Sequence, residues 1–579
     1  MRTNESKNTN MNIEERFTRT GSLTRRKLLE YIPTLMLTNL STLLLISVDG
    51  LVVGNLVGSN ALSAVNIISP IVLVVGVISV MIANGAATSL STRMGENDRE
   101  NILYAKSAVK QLMIAAALFV AIAQIPVVFW IIRSYQLSPE LNRLTWQYAM
   151  GIMISMPFGL ISTVGVCQLQ IVGKMKALMW LAVLEGCVNL LLDLFFIGVL
   201  KMGVAGAGFG TAVANVIRCS ATVFYLLKRT DIYNSGNVKA RREDRREILS
   251  LGLPEASYSL ILALQNYIMI RLILVFFGDV GGVIMAVCTF SFSLTNVMIS
   301  GVQGSMRPLA GLLSGAEDRV GLRMMMRQSA KLVTVFACVM TLFIELFPDV
   351  FYTLHGVSNV TDTELFSLRL YALHFVFIAY DTLLRLYLTN RSDTKFCTEL
   401  TLLGYATLPL FAFVLTRFLP APYLWLSYLF TEILIFSLNL WRYRMWLKKD
   451  LVSLDSSARR LSLTVKPDEA VEASRQIRSW ANENGFPARI SYRVSLCMEE
   501  MAAYAVASQK RKDINIQIMV LFTEHGARFT MLDDGRCIAL DEDQETQTLI
   551  TDNYGLIKKL AKSVKYQYLL NMNYTEFEF

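Results

Sequence analysis

Long apolar segments separated by short polar joints limit the fold of this chain more than any other feature of its sequence. Between residues 28 and 447, apolar windows of about 20 residues follow one another, and a helix needs about that length to cross the hydrocarbon of a bilayer. The pattern predicts an all-α membrane bundle of 12 transmembrane helices. The windows are 30–54, 62–91, 107–132, 145–170, 177–198, 205–227, 248–277, 283–312, 331–348, 366–389, 397–416 and 422–446.

Charge is scarce and unevenly placed along the chain. Charged residues make up 17% of the 579 residues, whereas soluble domains carry about a quarter. Residues 448–579, in contrast, have the polarity of an ordinary soluble domain. We therefore predict an N-terminal tail at 1–27, six-helix lobes at 28–230 and 231–447, a linker at 448–460 and a soluble domain at 461–579.

The distribution of Lys and Arg predicts how the bundle is oriented. If both termini are cytoplasmic, the inner segments hold roughly 30 basic residues, as the positive-inside rule requires. The outer segments then hold Arg133, Arg143, Lys201 and Arg417. We therefore predict a multi-pass protein of the plasma (inner) membrane with both termini in the cytoplasm. The net charge of +9 is assigned to topology and to contact with the lipid bilayer, so we expect no nucleic-acid partner.

Three pairs of short segments recur at an offset of about 220 residues. The pairs are GSNALSAVN (58–66) with GGVIMAVC (281–288), MGENDRE (94–100) with SGAEDRV (314–320), and GKMKA (173–177) with SDTKF (392–396). Two parallel six-helix repeats are therefore predicted. Such repeats suit alternating access, in which one half rocks against the other around a central site.

Ionisable residues at bilayer depth need a reason, because each costs about 2.5–3.5 kcal/mol on insertion scales. Asp49 lies in LLLISVDGLVVG, and Asp193 lies in CVNLLLDLFF with Asn189 one helical turn before it. Thr211 follows in the next predicted helix. This all-oxygen set suits a hard cation such as Na⁺, and the two carboxylates could instead share a proton. The alternative is that these acids neutralise basic groups or stay protonated as structural hydrogen bonders.

Other charged positions in the predicted spans have both functional and local interpretations. Glu185 lies on the same helix face as the acid and amide just described, and Arg271 lies one repeat offset after Asp49. We consider both as contacts for substrate or gating, with local charge pairing as the alternative. Asp381 and Arg385 are four residues apart, which favours an intrahelical ion pair.

Several segments resemble the multidrug and toxic compound extrusion (MATE) family. They are VDGLVVGNLVGSNALSAVN, NGAATSLSTRMGENDRE, NLLLDLFFIGVLKMGVAGAGFGTAV, GLPEASYSLI and GSMRPLAGLLSGAEDR. The resemblance covers residues 28–447. It implies a two-lobed, twelve-helix antiporter, not an enzyme, that exchanges Na⁺ or H⁺ for amphipathic organic compounds, the activity behind xenobiotic efflux and multidrug resistance. The family's cation site carries over onto Asp49, Asn189, Asp193 and Thr211.

Departures from the family pattern leave other functions open. Glu185 stands where a small or amide residue is usual, so the coupling ion stays open. Arg271 and Arg307 are unexpected beside a purely cationic small-molecule substrate. Flippases of lipid-linked precursors share the superfamily fold and are one alternative. A second is a signalling receptor with a transporter-like sensor, whose tail acts on a cytoplasmic protein partner.

The sequence pattern of residues 461–579 predicts a small α/β sandwich. LSLTV alternates as a strand, helices are expected at 468–483 and 488–508, and INIQIMVLF and ARFTMLD form a hairpin around TEHG. A helix at 554–564 and the strands KYQYLL and YTEFEF complete a sheet with helices on one face.

The tail resembles the histidine-kinase-like ATPase fold, in its anti-sigma-factor kinase branch. LCMEEMAAYA resembles the motif of the catalytic Glu, here Glu500; LDDGRCI resembles the adenine motif, with Asp533 and Gly535; DNYGLIKKLA resembles the phosphate loop, with Gly555. The resemblance implies ATP and Mg²⁺ as ligands. Tyr504 stands where the family has the Asn that binds Mg²⁺, so it implies a degenerate domain with weak or absent hydrolysis.

Three roles for the tail follow from this resemblance: nucleotide binding, protein interaction and kinase activity. Tyr504 disfavours the kinase. A full histidine kinase is disfavoured further, because His355, His374 and His525 fall in an outer loop, a span and a turn, and none suits a phosphoacceptor helix. The sequence as a whole predicts a cation-coupled exporter with a regulatory, nucleotide-binding-like tail.

Overall fold

The protein consists of a helical membrane-type bundle and a small C-terminal domain with one antiparallel sheet. The computed structural model describes residues 21–57, 59–134, 137–229, 238–355, 357, 360–454, 459–507, 514–523, 526–535, 537 and 559–579. The helices of the bundle are α1 (Ser22–Leu56), α2 (Ser59–Glu96), α3 (Arg99–Ser134), α4 (Pro139–Ile171), α5 (Met175–Asp193), α6 (Val204–Arg229), α7 (Arg242–Phe277), α8 (Asp279–Gly315), α9 (Arg319–Leu346), α10 (Pro348–Leu354), α11 (Asp362–Ala372), α12 (Phe375–Asn390), α13 (Thr394–Phe418) and α14 (Leu426–Leu454).

Many of these helices are longer than a bilayer requires. α1, α2 and α3 have 35, 38 and 36 residues. At about 1.5 Å per residue each is more than about 50 Å long, against about 30 Å of hydrocarbon. Their ends therefore project beyond the hydrocarbon. Pro33, Pro70 and Pro126 lie inside them. Membrane helices tolerate proline because neighbouring groups satisfy the backbone carbonyls that it leaves without a donor.

Eleven segments of the described chain are long and apolar enough to cross a membrane. The first is Ser63–Glu96 and the last is Ala421–Lys449; α11 and α12 together form one of them, Asp362–Asn390. The protein is thus a multi-pass membrane protein, as predicted. The predicted span 30–54 lies within α1, whose side chains at 45–55 are outside the described residues, so the total of twelve stays a prediction.

Turn geometry recurs at the offset of the predicted repeat. Asn97 follows α2 and Glu317 follows α8, and both have a left-handed backbone with φ of 55°. In each case the next residue is an aspartate that caps the following helix: Asp98 accepts from the Asn101 amide and Asp318 from the Gly321 amide. The same local chemistry therefore ends and restarts the chain in both halves, which supports the repeat.

The two halves of the bundle approach each other most closely along α2. A Cβ on Gly252 of α7 would lie 1.8 Å from the carbonyl oxygen of Met81, and one on Gly315 of α8 would lie 1.8 Å from that of Thr92. Glycine lets the backbones come this close, since any side chain would collide. The seam between the lobes is therefore tight along the second half of α2.

An ion cluster closes the same seam. The Arg93 guanidinium of α2 lies 2.7 Å from Asp244 and 2.6 Å from Glu247, both on α7. Arg93 and Asp244 are largely buried, so solvent screens their attraction little. We call this end of the bundle, where α2 ends at Glu96, the tail face.

The C-terminal domain contains the predicted strands and its first two predicted helices. They are β1 (Arg459–Val465), α15 (Ala470–Glu483), α16 (Ala488–Ala507), β2 (Ile516–Thr523), β3 (Gly526–Asp533), β4 (Ser563–Leu569) and β5 (Met572–Glu578). The strand order is β1-β2-β3-β5-β4, with every pair antiparallel. The domain thus contains a small antiparallel sheet, and two helices pack on one of its faces.

Two boundaries differ from the sequence prediction. The helix predicted at 554–564 extends too far, because β4 begins at Ser563 and pairs there with Glu578 of β5. Residues 551–558 lie outside the described chain. The segment predicted as a linker at 448–460 is helical as far as Leu454, because α14 continues beyond the last apolar window.

The two faces of the sheet have different partners. Ile518, Phe529 and Phe577 pack with the helices α15 and α16 in the domain core. Alternate residues point the other way, and Leu532 and Tyr574 are buried in the same apolar cluster as the membrane bundle. The sheet is therefore sandwiched between its own helices and the tail face.

Candidate functional site

A carboxylate and an amide are buried together in the first lobe. Asn189 and Asp193 lie one turn apart near the end of α5, with exposed fractions of 5% and 1%. The Asn189 amide nitrogen donates to Asp193 Oδ2 over 3.3 Å. The spacing of the two residues predicted that they share a helix face, and their hydrogen bond orients the carboxylate in the interior of the lobe.

The backbone around Asp193 departs from a regular α-helix. The segment Leu194–Val199 is a π-helical turn that starts directly after the acid. Such turns are rare and occur frequently at functional sites. On the facing helix, a Cβ on Gly210 would lie 2.5 Å from Asp193 Oδ1, so α6 can approach the carboxylate only because this residue is glycine. The acid is therefore held between a π-turn and a glycine-lined helix.

Hydroxyl and amide groups on α6 extend this polar region. The Thr211 hydroxyl donates to the Ala207 carbonyl over 3.0 Å, which leaves its oxygen lone pairs as potential ligands. Asn215, one turn further, donates to Ser155 Oγ of α4 over 2.8 Å and to the Thr211 carbonyl over 3.2 Å. The sequence analysis missed Asn215, although its i+4 spacing from Thr211 was a usable signal.

The other acid predicted for this site lies on α1, which packs against α5. Asp49 falls at a position whose side chain is outside the described residues. Its participation therefore stays a prediction.

Glu185 and Arg271 have local partners instead of joining the acid–amide pair. The Glu185 carboxylate lies 2.7 Å from the Arg218 guanidinium of α6, and both side chains are partly exposed. Arg271 on α7 is exposed, and its guanidinium donates to the Tyr267 hydroxyl over 3.3 Å. Glu185 shares a helix face with Asn189 and Asp193, but its partner is an arginine on the neighbouring helix.

A second buried polar cluster lies in the other lobe. The predicted pair is confirmed, since the Arg385 guanidinium donates to Asp381 Oδ2, and the Asn439 amide donates to Asp381 Oδ1. Arg385 also lies 4.1 Å from the ring centroid of Tyr258. Here a cation, an amide and an aromatic ring surround the acid.

Two more acids of this lobe were missed by the sequence analysis. Glu432 on α14 buries its Oε2, which meets no hydrogen-bond donor among the described residues. Glu255 on α7 accepts from Gln303 over 3.2 Å and lies 3.6 Å from Arg307. Both acids lie in apolar windows, so the same search for charges at bilayer depth would have found them.

The residues of the predicted adenine motif lie at the end of β3. Asp533 Oδ1 accepts from the Gly535 amide over 2.9 Å and from Asn573 over 2.7 Å. Its Oδ2 is buried and meets no donor within the described part of the chain. Burial raises the pKa of Asp533 to about 6, although both hydrogen bonds favour the ionised form.

The other predicted tail residues are only partly described. Glu500 lies on α16, half-buried. Tyr504 follows one turn later on the same helix, but its side chain is outside the described residues, as is the whole of Gly555. The metal and phosphate subsites implied by the resemblance therefore stay predictions.

A helical bundle with eleven apolar segments that could cross a membrane defines the class of this protein as a polytopic membrane protein. Comparison with known proteins shows more particular similarities. The model of the MatE family matches residues 34–195, which include the acid–amide pair. Solved structures share the fold: a MATE transporter in complex with MaL6 has a TM-score of 0.68 at 18% identity, covering 74% of this chain and 97% of that one.

Another solved structure and two curated relatives are also similar to this chain. A transporter of the MOP superfamily from Pyrococcus furiosus has a TM-score of 0.69 at 19% identity, covering 73% of this chain and 96% of that one. A probable multidrug resistance protein of Bacillus subtilis, YpnP, is 27% identical over 36% of this chain and 46% of its own length. The multidrug export protein MepA of Staphylococcus aureus is 23% identical over 39% of this chain and 51% of its own.

The chain thus spans about half the length of the curated relatives it matches. The family model over residues 34–195, the names of the relatives and the solved folds thus make this chain similar to MATE transporters.

Proposed function

We propose that this protein is a cation-coupled antiporter that exports amphipathic organic compounds in exchange for Na⁺ or H⁺. The observation that carries the proposal is the buried pair Asn189 and Asp193, held between a π-helical turn and a glycine-lined helix. An ionised carboxylate at this depth is costly unless a cation or a proton accompanies it. The names of YpnP and MepA, which refer to multidrug resistance and export, support the substrate class.

Ion binding at this pair would change the packing of the first lobe. A cation or proton at Asp193 removes the cost of the buried charge, so α5, α6 and α1 can pack differently around it. Asp49 on α1 would complete the ligand set. If the two packings differ in affinity for the exported compound, ion and substrate fluxes are coupled reciprocally.

Dye movement in vesicles tests the proposal. Purified protein is reconstituted, and efflux of a fluorescent organic cation is followed under an imposed Na⁺ gradient or an imposed pH gradient. We expect one gradient to drive movement in the wild type, and both Asp49→Asn and Asp193→Asn to abolish it. Gradient-driven movement that survives in both variants would refute the proposed site.

Movement of a lipid-linked anionic precursor is the second candidate function. The exposed guanidinium of Arg271, 5.6 Å from the Tyr267 ring, favours it, because a cation at this place would attract an anionic headgroup. A fluorescent polyprenyl-phosphate analogue in the same vesicles distinguishes the two functions. Movement of this lipid, lost in Arg271→Gln, together with no gradient-driven dye efflux, would favour the flippase.

The tail is proposed to be a regulatory module that binds the base of a nucleotide with weak or absent hydrolysis. The residues fit the base, because Asp533 Oδ2 is a buried acceptor without a donor among the described residues, which an exocyclic amine could supply. They do not fit the metal, since Tyr504 offers a phenol where an amide carbonyl is needed. Fluorescent ATP should bind full-length protein without magnesium, and Asp533→Asn should weaken that binding; equal binding by the variant would leave protein interaction as the role of the tail.

The orientation is part of the same proposal: both termini, and hence the tail face, lie in the cytoplasm. The distribution of basic residues supports it. Labelling of a cysteine introduced at Arg475, on the exposed side of α15, by an impermeant reagent tests it. We expect labelling only after the plasma membrane is opened.

A further inference from the structure

The C-terminal domain binds the tail face through its second sheet face, and several of these contacts are with the first lobe. Tyr574 of β5 donates to the Gly95 carbonyl over 2.7 Å. Gln567 of β4 donates to Asn97 Oδ1. Both contacts are at the end of α2 and in the turn that follows it.

The same domain also binds the second lobe. Arg460 of β1 lies 2.6 Å from the Glu317 carboxylate and donates to the Glu317 carbonyl over 3.0 Å. Thr530 and Leu532 of β3 face Ala316 and Asp318 across a small cavity. These groups belong to the turn that connects α8 with α9.

The two turns are the repeat-equivalent positions described above, and the backbone is left-handed at both Asn97 and Glu317. One rigid sheet therefore binds both of them. Its strands β1 and β4, at opposite edges of the sheet, reach one turn each, so the sheet spans the seam that Arg93 and the glycine contacts close.

The turn between β4 and β5 carries a further contact with the first lobe. Lys27 of α1 donates to the Asn571 carbonyl over 3.0 Å, and Tyr31 donates to the Leu570 carbonyl. A Cβ on Gly173, which follows α4, would lie 2.6 Å from Leu570 Cα, so the turn fits closely against the bundle.

Leu570 is an unusual residue for its backbone. It has φ of 56° in a two-residue hairpin turn, where Asn or Gly is favoured and a branched apolar side chain is not. Its side chain is only 2% exposed and packs into the apolar cluster of the bundle. The local geometry alone would favour another residue, so the contact with the bundle is what this leucine supplies.

We propose that the C-terminal domain is an intramolecular clamp that holds the two lobes together at the tail face. The inference rests on the alternating access of the proposed transporter, which requires the lobes to separate at this face in one of its states. A sheet bound to both equivalent turns stabilises only the closed arrangement. The lobes therefore separate at the tail face only after the domain releases at least one turn.

Distance measurement between the lobes tests the clamp without relying on transport. Spin labels are placed on Glu100 of the first lobe and Lys395 of the second, whose side chains are 72% and 90% exposed. The exposed native cysteines 187, 338 and 537 are first replaced by Ser. In the wild type we expect one dominant short distance.

Leu570→Asn is the principal variant, because Asn suits the left-handed turn and removes only the apolar contact. We expect it to increase the population with separated lobes by about tenfold or more, since a buried leucine contributes strongly to packing. Val471→Asn is the matched control: Val471 lies on α15, on the outer side of the domain, and is 53% exposed. The clamp would be overturned if the distance distribution of Leu570→Asn were unchanged while hydrogen exchange showed that the domain is folded.

A charge exchange provides a second, independent variant. Arg460→Glu should raise the separated population by up to about fivefold, the range of a partly exposed ion pair, and Glu317→Arg in the same molecule should restore the short distance. Absence of rescue would argue against the clamp. Lobes that separate in these variants while no substrate moves would instead contradict the proposed transport and leave the clamp in place.

Discussion

The two lobes bury acids in contrasting surroundings. In the first lobe, Asp193 accepts from the amide of Asn189. In the second, Asp381 contacts the guanidinium of Arg385 and the amide of Asn439. An amide donor orients a carboxylate without cancelling its charge, whereas a guanidinium cancels it.

This difference separates a candidate ion site from a structural one. Both carboxylates are 1% exposed, so depth alone does not distinguish them. Their described donors differ, and a carboxylate already bound to Arg gains little from Na⁺ or H⁺. We therefore propose Asp193 as an ion ligand and Asp381 as a structural acid, and the variants below test this difference.

Asp193→Asn should have the largest effect on activity. We expect gradient-driven efflux to fall to that of protein-free vesicles, while the melting temperature changes little because Asn has nearly the same shape. Efflux in vesicles and thermal unfolding in detergent check the two halves of this prediction. A variant that unfolds as readily as one altered at Asp381 would break the contrast between the lobes.

Asp381→Asn should have the largest effect on stability. It leaves the buried Arg385 without its carboxylate, and removing one partner of a buried ion pair costs about 3–5 kcal/mol. Thermal or denaturant unfolding measures the loss. Arg385→Met added to Asp381→Asn should recover most of it, and failure of this second change to help would show that the pair itself is not the cause.

Asp533 extends the comparison to a buried carboxyl outside the membrane. Its folded pKa of about 6 lies above the ordinary value of 3.8, so the protonated form is favoured on folding. The resulting stabilisation of the tail, about 2–3 kcal/mol, is complete below about pH 4 and lost as the pH rises through about 6.

Hydrogen exchange of the β2 and β3 amides in full-length protein between pH 4 and pH 8, after correction for intrinsic exchange, measures this stabilisation. Asp533→Asn should make the protection independent of pH over that range. A wild type whose protection does not fall across pH 6 would contradict the assignment.

Glu185→Gln should have the smallest effect. Its ion pair with Arg218 is partly exposed, at 12% and 19%, so we expect a loss within about 1 kcal/mol and unchanged ion coupling. Unfolding and efflux are measured beside Asp193→Asn. Loss of coupling in Glu185→Gln would place this acid with Asn189 and Asp193 after all.

Most elements of the fold could be predicted from the periodicity and polarity of the sequence. Apolar windows located the membrane helices, and alternation located the strands, because both patterns record which faces are buried. The spacing of Asp381 and Arg385 predicted their contact, and that of Asn189 and Asp193 predicted that they share a helix face. Local chemistry along one element is therefore readable from sequence.

Contacts between elements were not readable in the same way. The partner of Glu185 lies on another helix, 33 residues further along the chain, and no period connects the two. The docking of Leu570 against Gly173 joins the two domains, and the sequence shows only an awkward residue in a tight turn. Such contacts depend on how helices and sheet are arranged in three dimensions.

The hydrogen bond from Tyr31 to Leu570 joins residues 539 positions apart. At about 5–20 residues per second, a ribosome reaches Leu570 roughly half a minute to two minutes after Tyr31. The helices of the bundle are therefore synthesised before β4 and β5, which reach the tail face when these neighbours already exist. Every new copy thus begins as an unclamped bundle. Because the bundle is synthesised first, the C-terminal domain folds in the presence of the surface that it binds.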